Sequence, residues 1–247
     1  MDARVRELVK ATIPVLKEHG VALTTYFYQR LFRHNPELKN IFNQSHNETG
    51  KQPVALAMAV LAYAENIDDP SVLAPVITLI ANKHASVGIR AEHYPIVGKH
   101  LLASIREVLG DAASDELIHA WGVAYGALAD VFIEAESKLY NEACNSDGGW
   151  SGWRSFRIID KVRESEEITS FHLVPCDGGP LPAYNAGQYT TARVFVPELG
   201  VMQLRQYTLS IAPGAMHFRI SVKREPASTT TPAGRVSNRL HDFYKVG

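Results

Sequence analysis

From Val5 to about Ala143 the apolar residues recur every three or four positions, which predicts a succession of helices. Leu8, Ile13 and Leu16 mark a first helix, and Leu23, Phe27, Leu31 and Phe32 a second. The same period runs through 54–67, 72–85, 96–109 and 116–140. Turn chemistry separates these runs: Gly20, "HNPE" at 34–37, "SHNETG" at 45–50, "DDP" at 68–70, Gly88 and "GDAASD" at 110–115. Beyond the Gly- and Ser-rich "CNSDGGWSGW" at 144–153 the period changes to two. Phe218, Ile220 and Val222 fall on one face, with His217, Arg219, Ser221 and Lys223 on the other. "GQYTTARVFVP" and "LRQYTLSIAP" alternate in the same way, and "PCDGGPLP" and "PELG" supply turns. The expectation is a multidomain chain: an all-α domain over 1–143, a linker over 144–152, and an antiparallel β-barrel domain over 153–247.

Composition narrows the function classes. A net charge of −1 and an apolar share of 46% exclude an electrostatic nucleic-acid binder as the expectation. The charged start "MDARVRELVK" has no signal-peptide core, and no apolar run is expected to span a bilayer. The two cysteines, Cys144 and Cys176, form neither a metal pair nor a disulfide framework, which fits a cytoplasmic location.

His84 stands just before Gly88 and ten residues before Tyr94. By itself it is either a ligand or an ordinary polar residue at a helix end. On a helix starting near Glu116, Glu136 lies roughly 20° from Tyr125 and 40° from Phe132, on the apolar stripe with Trp121 and Leu128. Glu134 lies about 180° from Tyr125, on the solvated side. A carboxylate on an apolar stripe either finds a hydrogen-bonding partner or reaches solvent at the edge. An imidazole N–H would supply the partner. Gln52 and Leu56 share one helix face beside Pro53, which suits a first turn.

Five stretches together carry a family likeness: "ATIPVL", "FYQRLFRHNPELKNIFN", "KQPVALAMAVLAYAENI", "KHASVGIRAEHYPIVGKHLL" and "AWGVAYGALADVFIEAESKLYNE". Residues 1–143 resemble the globin domain of the flavohaemoglobins. The resemblance implies a haem b iron held by His84, with Tyr94 and Glu136 as the proximal pair that polarises the imidazole. It implies Tyr28 as the distal hydrogen-bond donor, with Phe42, Gln52 and Leu56 in the haem pocket. Tyr26, about 160° from Tyr28 on the same helix, is expected to pack.

In the β half, "LRQYTLS" puts Arg205 and Tyr207 on one strand face. Such a strand suits a flavin dinucleotide, which needs a cation for its pyrophosphate and an aromatic for its ring. Taken alone, it reads more readily as half-buried sheet. With "AGQYTT", "GRVSNRLHDF" and "GWSGWRSFRI" it resembles the FAD domain fused to flavohaemoglobin globins. Tyr189, Arg205, Gln206, Tyr207 and Thr208 are the implied flavin contacts. Thr208 stands where Ser is usual, and "EPASTTTPAGRV" is longer than the usual connection. The family continues with final barrel strands and a nicotinamide domain, so the expectation is a fragment with an incomplete barrel.

The implied activity is nitric oxide dioxygenation. NO and O2 become nitrate at a haem reduced through FAD by NAD(P)H, in a monomer with no nucleic-acid partner. The alternatives are an oxygen-storing or sensing globin with a docking module, and a reductase whose helical domain binds no haem.

Overall fold

The computed structural model describes residues 1–229 and 231–247. It divides into two compact units, Met1–Lys138 and Leu139–Gly247. In the first, α1 (Ala3–Ala11), α2 (Ile13–His34), α3 (Gln44–Glu48), α4 (Lys51–Glu65), α5 (Ala74–Val87) and α6 (His93–Leu109) precede α7 (Asp115–Asn145), which runs on into the second.

The helix boundaries follow from local chemistry. The Asp2 carboxylate accepts the Val5 N–H at 2.8 Å and opens α1. Pro14, in the first turn of α2, has no N–H to return to α1, so the chain breaks at Thr12. Gly20 was expected to be the break, and the structure corrects this: α2 runs straight through it. A Cβ at Gly20 would stand 3.5 Å from the Ala57 Cβ, an ordinary contact, so this buried position packs against α4. Nearby, Thr24 Oγ1 donates to the Pro53 carbonyl at 2.8 Å across the same contact. "SHNETG" also differs from a plain turn. Asn43 caps the short α3, and Gly50, at φ 75°, lets the chain swing into α4. Gly88, at φ 82°, ends α5 as expected, and the Ile89 N–H returns to the His84 carbonyl at 3.0 Å.

Phe27, Leu31, Tyr63, Leu101, Ile105, Trp121 and Ala124 form the centre of the helical core. By contrast, α5 buries only Ala81, although it carries Val76, Ile77, Leu79 and Ile80. By length and composition α7 is apolar enough to cross a membrane, which the sequence reading did not expect. Its buried residues Leu117, Ala120, Trp121, Ala124, Ala129 and Phe132 belong to a globular core helix.

A polar network ties α2 to α6. His100, 2% exposed, accepts from Arg30 Nη1 at Nδ1 (2.5 Å) and donates from Nε2 to Asn35 Oδ1 (2.9 Å). Arg30 also pairs with Glu107, whose carboxylate takes the Tyr26 hydroxyl at 2.7 Å. Tyr26, expected to pack, is thus 39% exposed and held by a hydrogen bond.

In the second unit, β1 (Phe156–Arg163), β2 (Ile168–Pro175) and β5 (Phe218–Lys223) make an antiparallel sheet in the order β1-β2-β5. A hairpin, β3 (Tyr189–Val196) with β4 (Val201–Thr208), turns at "PELG" with Gly200 at φ 65°. Among the described residues one bridge, Leu209 to Ile220, links the two sheets, and they do not close into a barrel. The alternation of β5 is as expected, with Phe218, Ile220 and Val222 buried. β1 and β2 carry no clean alternation. β1 has a bulge between Ile158 and Asp160, and β2 buries Ser170 fully against Ser221 at 3.0 Å. The stretch "EPASTTTPAGRV", whose Thr230 lies outside the described residues, runs into helix α8 (Arg235–Phe243). The Lys161 ammonium donates to the His241 and Tyr244 carbonyls and closes the C-terminal end of α8.

Burial, and then the Arg30 charge, depress the pKa of His100 below the usual 6.5. The unfolded chain therefore binds an extra proton at pH values between the folded pKa and 6.5. The stability that neutral His100 contributes is complete above 6.5 and is lost as pH falls from there through the folded pKa. Urea unfolding of wild type is expected to show this acid-side loss, and His100→Gln a flatter profile from pH 7 to 5. Parallel profiles would refute the assignment.

Candidate functional site

The last turn of α5, the first turn of α6 and the C-terminal half of α7 bring three sequence-picked residues together. The His84 Nδ1–H donates to Glu136 Oε1 at 2.7 Å. The Tyr94 hydroxyl donates to the same oxygen at 2.5 Å, and it lies 3.2 Å from His84 Nδ1. Glu136 is 2% exposed, so the stripe position read from periodicity is a buried one. Glu134 is exposed and pairs with Lys138 at 2.7 Å. The network assigns the Nδ1–H tautomer to His84 and leaves the Nε2 lone pair for a metal. The Phe132 ring lies 5.6 Å from the imidazole, centroid to centroid. Among the described residues no three His, Cys, Asp or Glu gather as a metal site. His84 therefore offers one protein bond, the donor set that suits an iron whose other bonds come from a porphyrin.

A second cluster joins α2 to α4. The Gln52 amide donates to the Tyr28 hydroxyl at 3.3 Å. Phe42 meets the Tyr28 ring edge-on at 5.7 Å, and Phe32 stacks on it at 5.9 Å. Burial pushes the Tyr28 phenol up to about 12, so it remains a proton donor at neutral pH. Leu56, one turn beyond Gln52, is half-buried against the same core.

The β half brings its five candidates onto one hairpin, but on two faces. Tyr189 lies opposite Thr208 in register, at the same end of the hairpin. Both share a face with Gln206, whereas Arg205 and Tyr207 point to the other side, as alternation requires. Burial pushes the Tyr207 phenol up to about 12 and lowers the Arg205 pKa, with Arg235 of α8 adding to the second effect. A partly desolvated guanidinium on that face suits an anionic ligand.

Two functional-looking residues escaped the sequence reading. Tyr125 served there only as a marker of the stripe, yet its hydroxyl donates to the Tyr94 carbonyl at 2.7 Å. A buried tyrosine needs a partner for its O–H, and that rule was the available signal. His100 had no such signal, because its partners lie far away in sequence.

Residues 25–132 match the globin family model. The flavohemoprotein of Chromobacterium violaceum is 62% identical over 247 residues, the whole of this chain. The helical half of the chain belongs to the globins, and the whole chain is similar to the flavohaemoglobins. The chain spans about 61% of the length of the curated relatives it matches. The crystal structure of flavohemoglobin from Malassezia yamatoensis, with bound FAD and heme, superposes over all of this chain and 62% of its own. The TM-score is 0.85 at 27% identity. The globin part also matches an engineered carbene transferase derived from a candidate nitric oxide dioxygenase of Rhodothermus marinus. That match has 36% identity and a TM-score of 0.56, and covers 59% of this chain and 99% of the other.

A hydrogen bond to a buried charged group is worth about 1.5–3 kcal/mol, and an exposed helix pair a few tenths. Glu136→Gln is therefore expected to lower the unfolding free energy by about 1.5–3 kcal/mol. Glu134→Gln should stay within about 0.5 kcal/mol. Chemical denaturation of both variants checks this, and equal losses would contradict the burial of Glu136.

Proposed function

We infer that this chain is the haem-binding globin and part of the FAD-binding reductase of a nitric oxide dioxygenase, which converts NO and O2 to nitrate with electrons from NAD(P)H. One observation carries the reading: the Nδ1–H of the imidazole in the last turn of α5 and a tyrosine hydroxyl converge on one oxygen of the buried Glu136 carboxylate. A globin that only stores or senses oxygen has no need of a buried Glu136. The flavohemoprotein relatives, and the dioxygenase parentage of a structural relative, support the same activity.

When bound, the haem supplies the iron at which dioxygen and nitric oxide combine, and FAD supplies the electrons. The chain's own residues set the conditions. Glu136 draws on the Nδ1–H of His84, gives the ring imidazolate character and strengthens the donation of Nε2. Tyr94 holds the carboxylate oxygen in place. Tyr28, kept protonated by burial, donates a hydrogen bond towards negative charge on the distal side, and Gln52 orients its hydroxyl. Phe42 and Leu56 keep that side apolar. In the β unit, Arg205 offers charge to a pyrophosphate and Tyr207 an aromatic face. Tyr189, Gln206 and Thr208 offer polar groups at the end of the hairpin, where one extended dinucleotide can reach both faces. Cys144 and Cys176 are free and exposed, which supports a reducing, cytoplasmic location.

Two measurements test the reading. Purified chain titrated with hemin should develop a Soret band that His84→Ala lacks. In the full-length enzyme under air with NADH, His84→Ala should abolish NO consumption, and Glu136→Gln should reduce it by about 10–100-fold. Equal NO consumption by wild type and His84→Ala would overturn the mechanism.

A further inference from the structure

Outside the candidate haem and flavin sites, two histidines meet on the three-stranded sheet of the β unit. His172 lies in β2, where Arg219 of β5 is its partner in register. His217 stands just before β5, two residues from Arg219 and on the same polar side, so it is the diagonal neighbour of His172. His172 Nδ1 and His217 Nε2 are 2.8 Å apart, and the ring centroids 4.8 Å. Both residues are half-buried, within reach of solvent.

A hydrogen bond between two imidazoles holds one proton between two nitrogens. When that proton moves to the outer nitrogen of its own ring, both facing nitrogens present lone pairs, and no proton leaves the protein. Burial, then His172 and Arg219, hold the His217 pKa below its usual 6.5, so protons compete little for that ring near neutrality. With metal–nitrogen bonds of about 2.0–2.1 Å, two cis ligands of a square-planar ion stand about 2.9 Å apart, and two ligands of a tetrahedral ion about 3.3 Å. The observed spacing fits the square plane with the strands where they are, and a turn of each ring aims its lone pair at a shared centre.

The surroundings select the kind of ion. Asp160 of β1 and Arg219 of β5 both lie opposite His172 in register, so the charges that flank the pair offset each other. The Arg219 guanidinium is itself engaged, with Nε donating to Ser210 Oγ at 3.2 Å and Nη2 to the Ser210 carbonyl. Among the described residues no third His, Cys, Asp or Glu completes the cluster. The pair therefore offers two nitrogen donors and little net charge. Hard Mg2+ and Ca2+ need carboxylate and carbonyl oxygens, whereas imidazole suits the later transition metals.

We propose that His172 and His217 form a binding site for a divalent transition-metal ion, Cu2+ ahead of Ni2+ and Zn2+, with water in the remaining positions. A bound ion would staple β2 to β5 on the polar side of the sheet. The site is independent of His84 and of the flavin contacts.

Isothermal titration of the 247-residue chain with CuCl2 at near-neutral pH tests this. Wild type should take up one tight equivalent that His172→Gln and His217→Gln each bind about a hundredfold more weakly, because each keeps only one of two linked donors. His119→Gln, which removes an exposed histidine elsewhere, should keep it. Electron paramagnetic resonance should show two imidazole nitrogens on the ion in wild type and one in each variant of the pair. Cu2+ should raise the melting temperature of wild type and leave both variants unchanged, and MgCl2 should not displace it. Circular dichroism confirms the fold of every chain. Binding by either variant as tight as wild type overturns the proposal, and so does displacement by MgCl2. Should a variant fail to fold, the wild-type spectrum decides, and fewer than two imidazole nitrogens overturns the proposal.

Discussion

The structure turns on one buried carboxylate. Glu136 lies in an apolar helix stripe, where an unpaired charge would cost several kcal/mol, so its two hydrogen bonds are a condition of folding as well as a chemical device. Meeting that condition requires three helix ends to converge. α5 must stop at Gly88 with His84 in its last turn, α6 must begin just before Tyr94, and α7 must pass close enough for one oxygen to take both donors. The glycine at φ 82° and the chain reversal after it are consequences of that convergence.

The same logic separates the two sides of the candidate haem site. On the α5 side, hydrogen bonds fix a tautomer and a ring orientation. On the α2 side, burial alone fixes a protonation state, since Tyr28 is raised by desolvation and has only the longer Gln52 contact to share. One side supplies electron donation and the other a neutral O–H. In the β unit Arg205 and Tyr207 again rely on burial, with the cation weakened and the phenol kept protonated.

Much of this was legible in the sequence, and the reasons are specific. α7 is long and regular, so a helical wheel put Glu136 inside and Glu134 outside correctly. His84, Tyr94, Tyr28 and Gln52 were named from the family likeness, and the coordinates gather them into two hydrogen-bonded clusters. Gly20 misled because a one-dimensional pattern does not distinguish a glycine that breaks a helix from one that the helix runs through. β1 and β2 were missed because a bulge in one and a fully buried serine in the other spoil the period of two. Tyr125 was read as apolar because its partner is a main-chain oxygen on another helix, and sequence alone names no such partner. The assignment of Arg205 and Tyr207 to one strand face survived. The separation of Tyr189 and Thr208 onto the other face emerged only with the pairing register.

The bond between α5 and α7 also has a mechanical meaning. His84 sits in the last turn of one helix and Glu136 in the second half of the other, and their hydrogen bond joins the two. The link is a mooring line as much as an electronic wire. Whatever releases the imidazole also loosens that tie, so a change of electronic tuning and a change of local order would arrive together.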